Sequence, residues 1–197
     1  MTSQAEFFDS YADRWDSIER PDIELLLDRV IIEARIAPGM SVLDVGTGTG
    51  VIIPGLLKAM AGSGAVHAID ISAGMLRVAR AKGFPGNVTF ELADIESYAC
   101  RDCTYDGVIC NAVFPHFTDH DLALSRINRM LKPGGVVVIS HPTGREAVNE
   151  VHREAGSVVA DDRVPDPDLM REILERAGFV EVTVTDEPEF YLAIGRR

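Results

Sequence analysis

Cysteine is scarce in this chain: only Cys100, Cys103 and Cys110 occur among 197 residues. An odd, clustered set cannot staple a domain of this length, which excludes a disulfide scaffold and points to a reducing compartment. Cys100-x-x-Cys103 is half of a four-thiolate zinc site. Its simpler reading is two ordinary thiols in a connecting loop, with Cys110 buried in a strand. Long apolar runs are also missing, and no stretch reaches the ~18 residues that a membrane span requires. The acidic opening MTSQAEFFDSYADRWD has neither the apolar run of a secretory signal nor the basic character of a transit peptide, so a cytoplasmic location is expected. Positive charge is the third shortage. Lys and Arg number 19 against 31 Asp and Glu, a formal charge of -12, which disfavours phosphate backbones and anionic membranes as partners.

What is present belongs to a folded protein. Apolar residues make up 46% and charged residues 25%, inside the ordinary globular range. The length suits one domain, and no repeat, low-complexity stretch or linker divides it. Ile23, Leu26, Leu27, Val30, Ile31 and Ala34 recur at the spacing of one buried helix face, stopped by Pro38-Gly39. Ser41–Val45 then reads as a strand running into glycines, followed by a helix over Val51–Met60. The rhythm repeats: strand Ala65–Asp70, helix Ser72–Lys82 with Ser72 as N-cap, strands Val88–Leu92 and Tyr105–Cys110, and a helix through Ala123, Ile127 and Met130. Lys132-Pro133-Gly134-Gly135 is expected to stop that helix before strand Val136–Ser140. Asp166 and Pro167 open a last helix ended by Gly178, and Val180–Thr185 with Phe190–Gly195 reads as an antiparallel hairpin. Alternating strands and helices imply a Rossmann-like, doubly wound α/β fold with a seven-stranded sheet, parallel except for the terminal hairpin.

Asp44-Val45-Gly46-Thr47-Gly48-Thr49-Gly50 lies between the first strand and its helix. Glycines there let the backbone approach a ligand, and free amides at the helix start attract an anion. Nucleotide, dinucleotide and sulfonium-cofactor folds all use such a loop. Asp70, at the end of the second strand, stands where a Rossmann fold places the carboxylate that grips a ribose diol, so an adenosine-type ligand is expected.

Four features together, namely Asp44 before the glycines, Asp94-Ile95 after the third strand, Leu131-Lys132-Pro133-Gly134-Gly135, and the terminal hairpin, resemble the class I S-adenosylmethionine-dependent methyltransferases over nearly the whole chain. The resemblance implies S-adenosylmethionine as methyl donor. Gly46, Thr47, Gly48 and Gly50 would border its methionine part, Asp70 would hold the ribose hydroxyls, and Asp94 with Ile95 would border the adenine. Asn111 would face the methionine moiety, and Asp44, Ile71 and Met75 complete the expected set. Phe7-Phe8-Asp9-Ser10-Tyr11-Ala12-Asp13-Arg14-Trp15-Asp16 is similar to the opening of the methyltransferases of the ubiquinone and menaquinone biosynthesis group. That implies a helical lid over residues 1–38 on a core of residues 39–197, with Tyr11 and Trp15 at the cofactor. Phe7, Phe8, Tyr11 and Trp15 fall on one helical face. The competing reading is that they simply pack the helix onto the sheet.

Methyl transfer from a sulfonium is an in-line displacement, so the protein positions the acceptor and, where needed, removes its proton. Asn111-Ala112-Val113-Phe114 departs from the (D/N)PP(Y/F) pattern of enzymes acting on nucleic-acid bases and amide nitrogens, so a small-molecule acceptor is expected. Three of the five histidines, His116, His141 and His152, fall where strand ends and following segments converge. Imidazoles there suit a general base near neutral pH, and three of them could equally bind a transition metal or a metal-bearing substrate. The competing classes are a metal-binding or metal-dependent protein and an NAD-dependent oxidoreductase. The latter shares the glycine loop and Asp70 but leaves Asp94, the Lys-Pro-Gly-Gly segment and the hairpin without a role. A monomer or homodimer is compatible with all of these readings.

Overall fold

The structure, a computed structural model, describes residues 3–18, 20–155 and 158–197. Its seven strands are β1 Ser41–Val45, β2 Ala65–Asp70, β3 Val88–Leu92, β4 Tyr105–Asn111, β5 Leu131–His141, β6 Val180–Glu187 and β7 Phe190–Arg196. They form one sheet in the order β3-β2-β1-β4-β5-β7-β6. Strands β1 to β5 pair in parallel, and β7 runs antiparallel to both β5 and β6. The doubly wound sheet with a terminal hairpin is therefore the observed fold. The strand order reverses between β1 and β4, and such a switch point opens a crevice at the carboxyl ends of the strands.

Helices cover both faces. On one side α3 (Ile23–Glu33) and α4 (Ile53–Ala59) pack Val30, Ile31, Ile53 and Leu56 against Val42, Ile109 and Val138. On the other, α6 (His120–Met130) and α8 (Pro167–Arg176) bring Leu124, Ile127 and Leu174 against Leu43, Val108 and Tyr191. The period-two alternation of β1 explains the split, since Val42 enters one core while Leu43 and Val45 enter the other. Helix α5 (Ala73–Ala81) starts at Ser72, whose hydroxyl accepts from the Met75 amide, and α8 starts at Asp166, whose carboxylate accepts from the Asp168 and Leu169 amides. Helix α7 (Arg145–Ala155) follows β5.

Two local expectations are corrected. The aromatic opening is not one helix face: α1 (Gln4–Tyr11) breaks into a 3-10 turn over Ala12–Arg14 before α2 (Trp15–Ile18). That break lets Phe8 and Trp15 meet edge to face, at 5.9 Å between ring centroids, while Tyr11 turns to Phe7 and to the guanidinium of Arg14. Lys132-Pro133-Gly134-Gly135 also does not precede its strand. β5 begins at Leu131, opposite Tyr105, and next pairs at Val136 opposite Gly107, so the four residues form a bulge within it. Proline cannot donate to a ladder, and Gly134 takes a φ of 78°, so a bulge is where the segment fits. Lys132 Nζ closes it on the Asp106 carboxylate at 2.8 Å. Among the described residues no helix is long and apolar enough to cross a membrane.

Candidate active site

A cavity of about 920 Å³, counted to its open mouth, lies over the carboxyl ends of β1, β2 and β4. Its floor is the loop after β1. Gly46 and Gly48 both have positive φ there, 65° and 56°, a backbone that side chains rarely adopt. A Cβ on Gly46 would stand 2.3 Å from Val113 Cγ2, whereas one on Gly48 would meet nothing within 4 Å. The first glycine thus permits close packing beneath the cavity, and the second leaves the backbone open to a ligand. Thr47 and Gly50 pin the loop through Thr47 N to Ile69 O (3.0 Å) and Gly50 N to Thr47 O (2.8 Å).

Two carboxylates stand beneath and beside this loop. Asp44 is fully buried and accepts from Thr47 Oγ1 at 2.6 Å. Burial pushes its carboxyl up to about 7, against the Thr47 hydrogen bond and with the charge of Asp70 adding to the rise. Asp70 accepts from the Gly48 amide with Oδ2 (2.7 Å) and from the Ser72 amide with Oδ1 (2.8 Å). Burial raises its pKa, opposed by those amides. A carboxylate offers about four lone-pair directions, so two amides leave capacity for a vicinal diol. Asn111, at the end of β4, accepts from Ser140 Oγ at 2.9 Å, which leaves its NH₂ as donor toward the cavity it lines.

The N-terminal segment borders the cavity and is fastened by its own acids. Asp9 accepts from Ser72 Oγ (2.5 Å) and Gly74 N (2.8 Å), which hold its pKa down. Asp13 pairs with Arg77, and Asp16 pairs with Lys82 at 2.8 Å and accepts from Thr49 Oγ1. These contacts set Gln4, Phe8 and Trp15 into the cavity wall.

Of the residues singled out by sequence, Trp15, Gly46, Thr47, Gly48, Asp70, Ile71, Met75, Asp94, Ile95, Asn111 and His116 line this cavity. Tyr11, Asp44, Gly50, His141 and His152 do not. Gly50 packs beneath the loop, where a Cβ would come within 3.1 Å of Ile53 and Phe84. Phe8 of the aromatic opening joins the wall, with Gln4, Val113 and Phe117, which had no assigned role. Only the aromatic character of Phe8 was readable beforehand.

The histidines separate. His116 Nδ1 lies 2.6 Å from Asp162 Oδ2, and its ring meets Phe8 at 5.1 Å and His152 at 4.9 Å. His116 Nε2 forms no hydrogen bond among the described residues, and the His116 side chain lines the cavity. His152 Nδ1 lies 3.0 Å from the main-chain oxygen of Asp162. His141 is buried at the end of β5, with Nε2 unpartnered among the described residues. Among those residues no group of three His, Cys, Asp or Glu is arranged to hold a metal. Nδ1 of both His116 and His152 is directed at Asp162, and the His141 ring is buried.

Burial, then the imidazoles of His116 and His152, push the His141 pKa down from 6.5 to about 3. The unfolded chain therefore takes up a proton near pH 6.5 that the folded chain refuses until about 3. Stability is complete above the upper value and lost as pH falls toward the lower one. With His141→Gln, the stability gap from wild type should shift by about 1.4 kcal/mol per pH unit across that window, in favour of the variant on acidification. Urea unfolding at two pH values checks this, and a pH-independent gap would show the ring to be solvated.

The comparisons with known proteins agree with the geometry. The methyltransferase domain family matches residues 36–178. The ubiquinone/menaquinone biosynthesis C-methyltransferase UbiE of Idiomarina loihiensis is 31% identical over 209 aligned positions, covering 90% of this chain and 83% of that protein. Among solved structures, a SAM-dependent methyltransferase from Aquifex aeolicus superposes with a TM-score of 0.73 at 26% identity, covering 94% of this chain and 96% of that one. A methyltransferase solved with the Haloferax volcanii Trm112 activator shares the fold, with a TM-score of 0.78 at 22% identity and 96% of each chain covered.

Proposed function

Since the chain belongs to the class I S-adenosylmethionine-dependent methyltransferases, we propose that it methylates a small-molecule acceptor held between the donor and His116. One observation carries this reading: Asp70 and His116 line the same cavity, so a donor gripped by the carboxylate would share that space with the imidazole. S-adenosylmethionine supplies a sulfonium methyl group and leaves as the neutral thioether S-adenosylhomocysteine. The residues divide the rest of the work. The Gly46–Gly48 backbone and the Asn111 amide suit the methionine end, Asp70 the ribose hydroxyls, and Asp94 with Ile95 the adenine.

When bound, the donor would give up its methyl carbon with the carbon–sulfur electron pair staying on sulfur, the acceptor atom would bond that carbon, and His116 Nε2 would take the acceptor's proton. Phe8 and Trp15 exclude water from that step. A small acceptor is supported by the size of the cavity and by the absence of Lys or Arg from its described lining, which leaves nothing to hold a polyanion. The name of the relative quoted above, in ubiquinone and menaquinone biosynthesis, points the same way.

Calorimetry with S-adenosylhomocysteine and NADH tests the donor half. Binding of the thioether without the nicotinamide is expected, and the reverse would overturn the reading. A panel of hydroxyl, thiol, amine and carbon acceptors scored by S-adenosylhomocysteine release tests the other half.

The lid has its own test. Asp9→Ala removes two hydrogen bonds to the start of α5 at a partly exposed site, a loss of about 1 kcal/mol. The Kd for S-adenosylhomocysteine should rise roughly fivefold, with faster proteolysis before residue 20. Unchanged proteolysis in the presence and absence of ligand would show that the segment is fixed packing and not a lid.

A further inference from the structure

We infer that Asp162 is the positioning residue of this site, fixing His116 and His152 together as their Nδ1–H tautomers and so leaving the His116 Nε2 lone pair available as an acceptor. The inference rests on the methyl-transfer reading for its purpose and on separate geometry for its content. A carboxylate oxygen and a main-chain carbonyl oxygen only accept hydrogen bonds. Asp162 offers one of each: Oδ2 to His116 Nδ1 at 2.6 Å and its own carbonyl to His152 Nδ1 at 3.0 Å. Both Nδ1 atoms must therefore carry the proton, which leaves both Nε2 atoms as acceptors. Free histidine in water prefers the opposite tautomer, so the fold has to impose this one.

The segment that carries Asp162 is built to hold still. Val159 and Val164 on either side are each 2% exposed. Asn149 on α7 clamps the following turn through both of its amide atoms, Nδ2 to Val164 O (3.1 Å) and Oδ1 from Val164 N (2.8 Å). Asn149 and His152 stand one turn apart on α7, so a single helix face holds this segment at both Asp162 and Val164. The Asp162 side chain is 17% exposed and also lies 3.4 Å from Gln4 Nε2 of the lid. The charge balance gives the carboxylate a purpose. The positive charge lost from sulfur would reappear as an imidazolium on His116, where Asp162 is already its partner, while the neighbouring His141 is neutral and would add no repulsion.

Long-range proton–nitrogen NMR of histidine-labelled protein reads the tautomers directly. Wild type is expected to show His116 and His152 as Nδ1–H. Asp162→Ala should switch His116 to mostly Nε2–H and leave His152 unchanged, because its partner is main chain. Asp162→Asn, which keeps an acceptor oxygen, should restore His116, and Asp161→Ala should alter neither. An Nε2–H His116 in wild type, a measurement that needs no variant, would overturn the inference, as would a tautomer indifferent to Asp162→Ala. Calorimetry with S-adenosylhomocysteine on the same samples separates the two claims. Wild type that fails to bind the thioether sinks the methyltransferase reading of the cavity, whatever the tautomers show.

Discussion

Asp70→Ala should weaken S-adenosylhomocysteine binding by about 100-fold, measured by calorimetry. The side chain is buried, and two of its lone pairs are committed to the Gly48 and Ser72 amides. The remaining two would receive the ribose hydroxyls as charge-assisted hydrogen bonds, each contributing about 1.5 kcal/mol or more, and two of them correspond to two decades in Kd. Alanine also frees the Gly48 amide, which loosens the backbone expected to face the methionine end. Asp70→Asn separates the contributions: it keeps one acceptor oxygen and the shape of the side chain, so its loss should be smaller, roughly tenfold. Unchanged affinity in the alanine variant would place the ribose elsewhere and would undo the assignment of Asp94 and Ile95 with it.

The larger effect on rate is expected from His116→Ala. Removing a general base costs about 10²–10⁴-fold in turnover. S-adenosylhomocysteine affinity should move by less than about threefold, since the donor half is formed by the loop, Asp70 and Asn111. The measurement is S-adenosylhomocysteine release from the acceptor that the panel identifies. His152→Ala should cost much less, because its ring packs against His116 at a tilt without lining the cavity. Turnover that survives His116→Ala would mean that the acceptor arrives already ionised or needs no deprotonation, and His116 would then be part of the wall.

The two predictions differ in how far they could be read before the fold was known. Asp70 was legible because its environment is made locally. A strand ends, the next helix begins at Ser72, and the glycine loop of the preceding unit must lie beside it in a parallel sheet. His116 was legible as a candidate, but its partner was not. Asp162 is 46 residues away, in a stretch without periodicity or motif, and nothing in its neighbours distinguishes it from Asp161. His141 shows the opposite failure. Its place at the end of β5 was read correctly, but β7 pairs along that strand and buries it, with His141 opposite Tyr191. The Lys132–Gly135 segment likewise has the composition of a turn. It became a bulge because Tyr105 and Leu131 pair beyond it.

Sequence alone determined the alternation of strands and helices, the terminal hairpin, the glycine loop and the carboxylate at the end of β2. Each follows from side-chain periodicity or from backbone freedom within a few residues. Tertiary structure alone decided which of three histidines lines the cavity, which carboxylate pairs with it, and which aromatics of the broken N-terminal helix face inward. Those outcomes depend on contacts between segments far apart in the chain, where the geometry of packing selects one partner among many of the same chemical type.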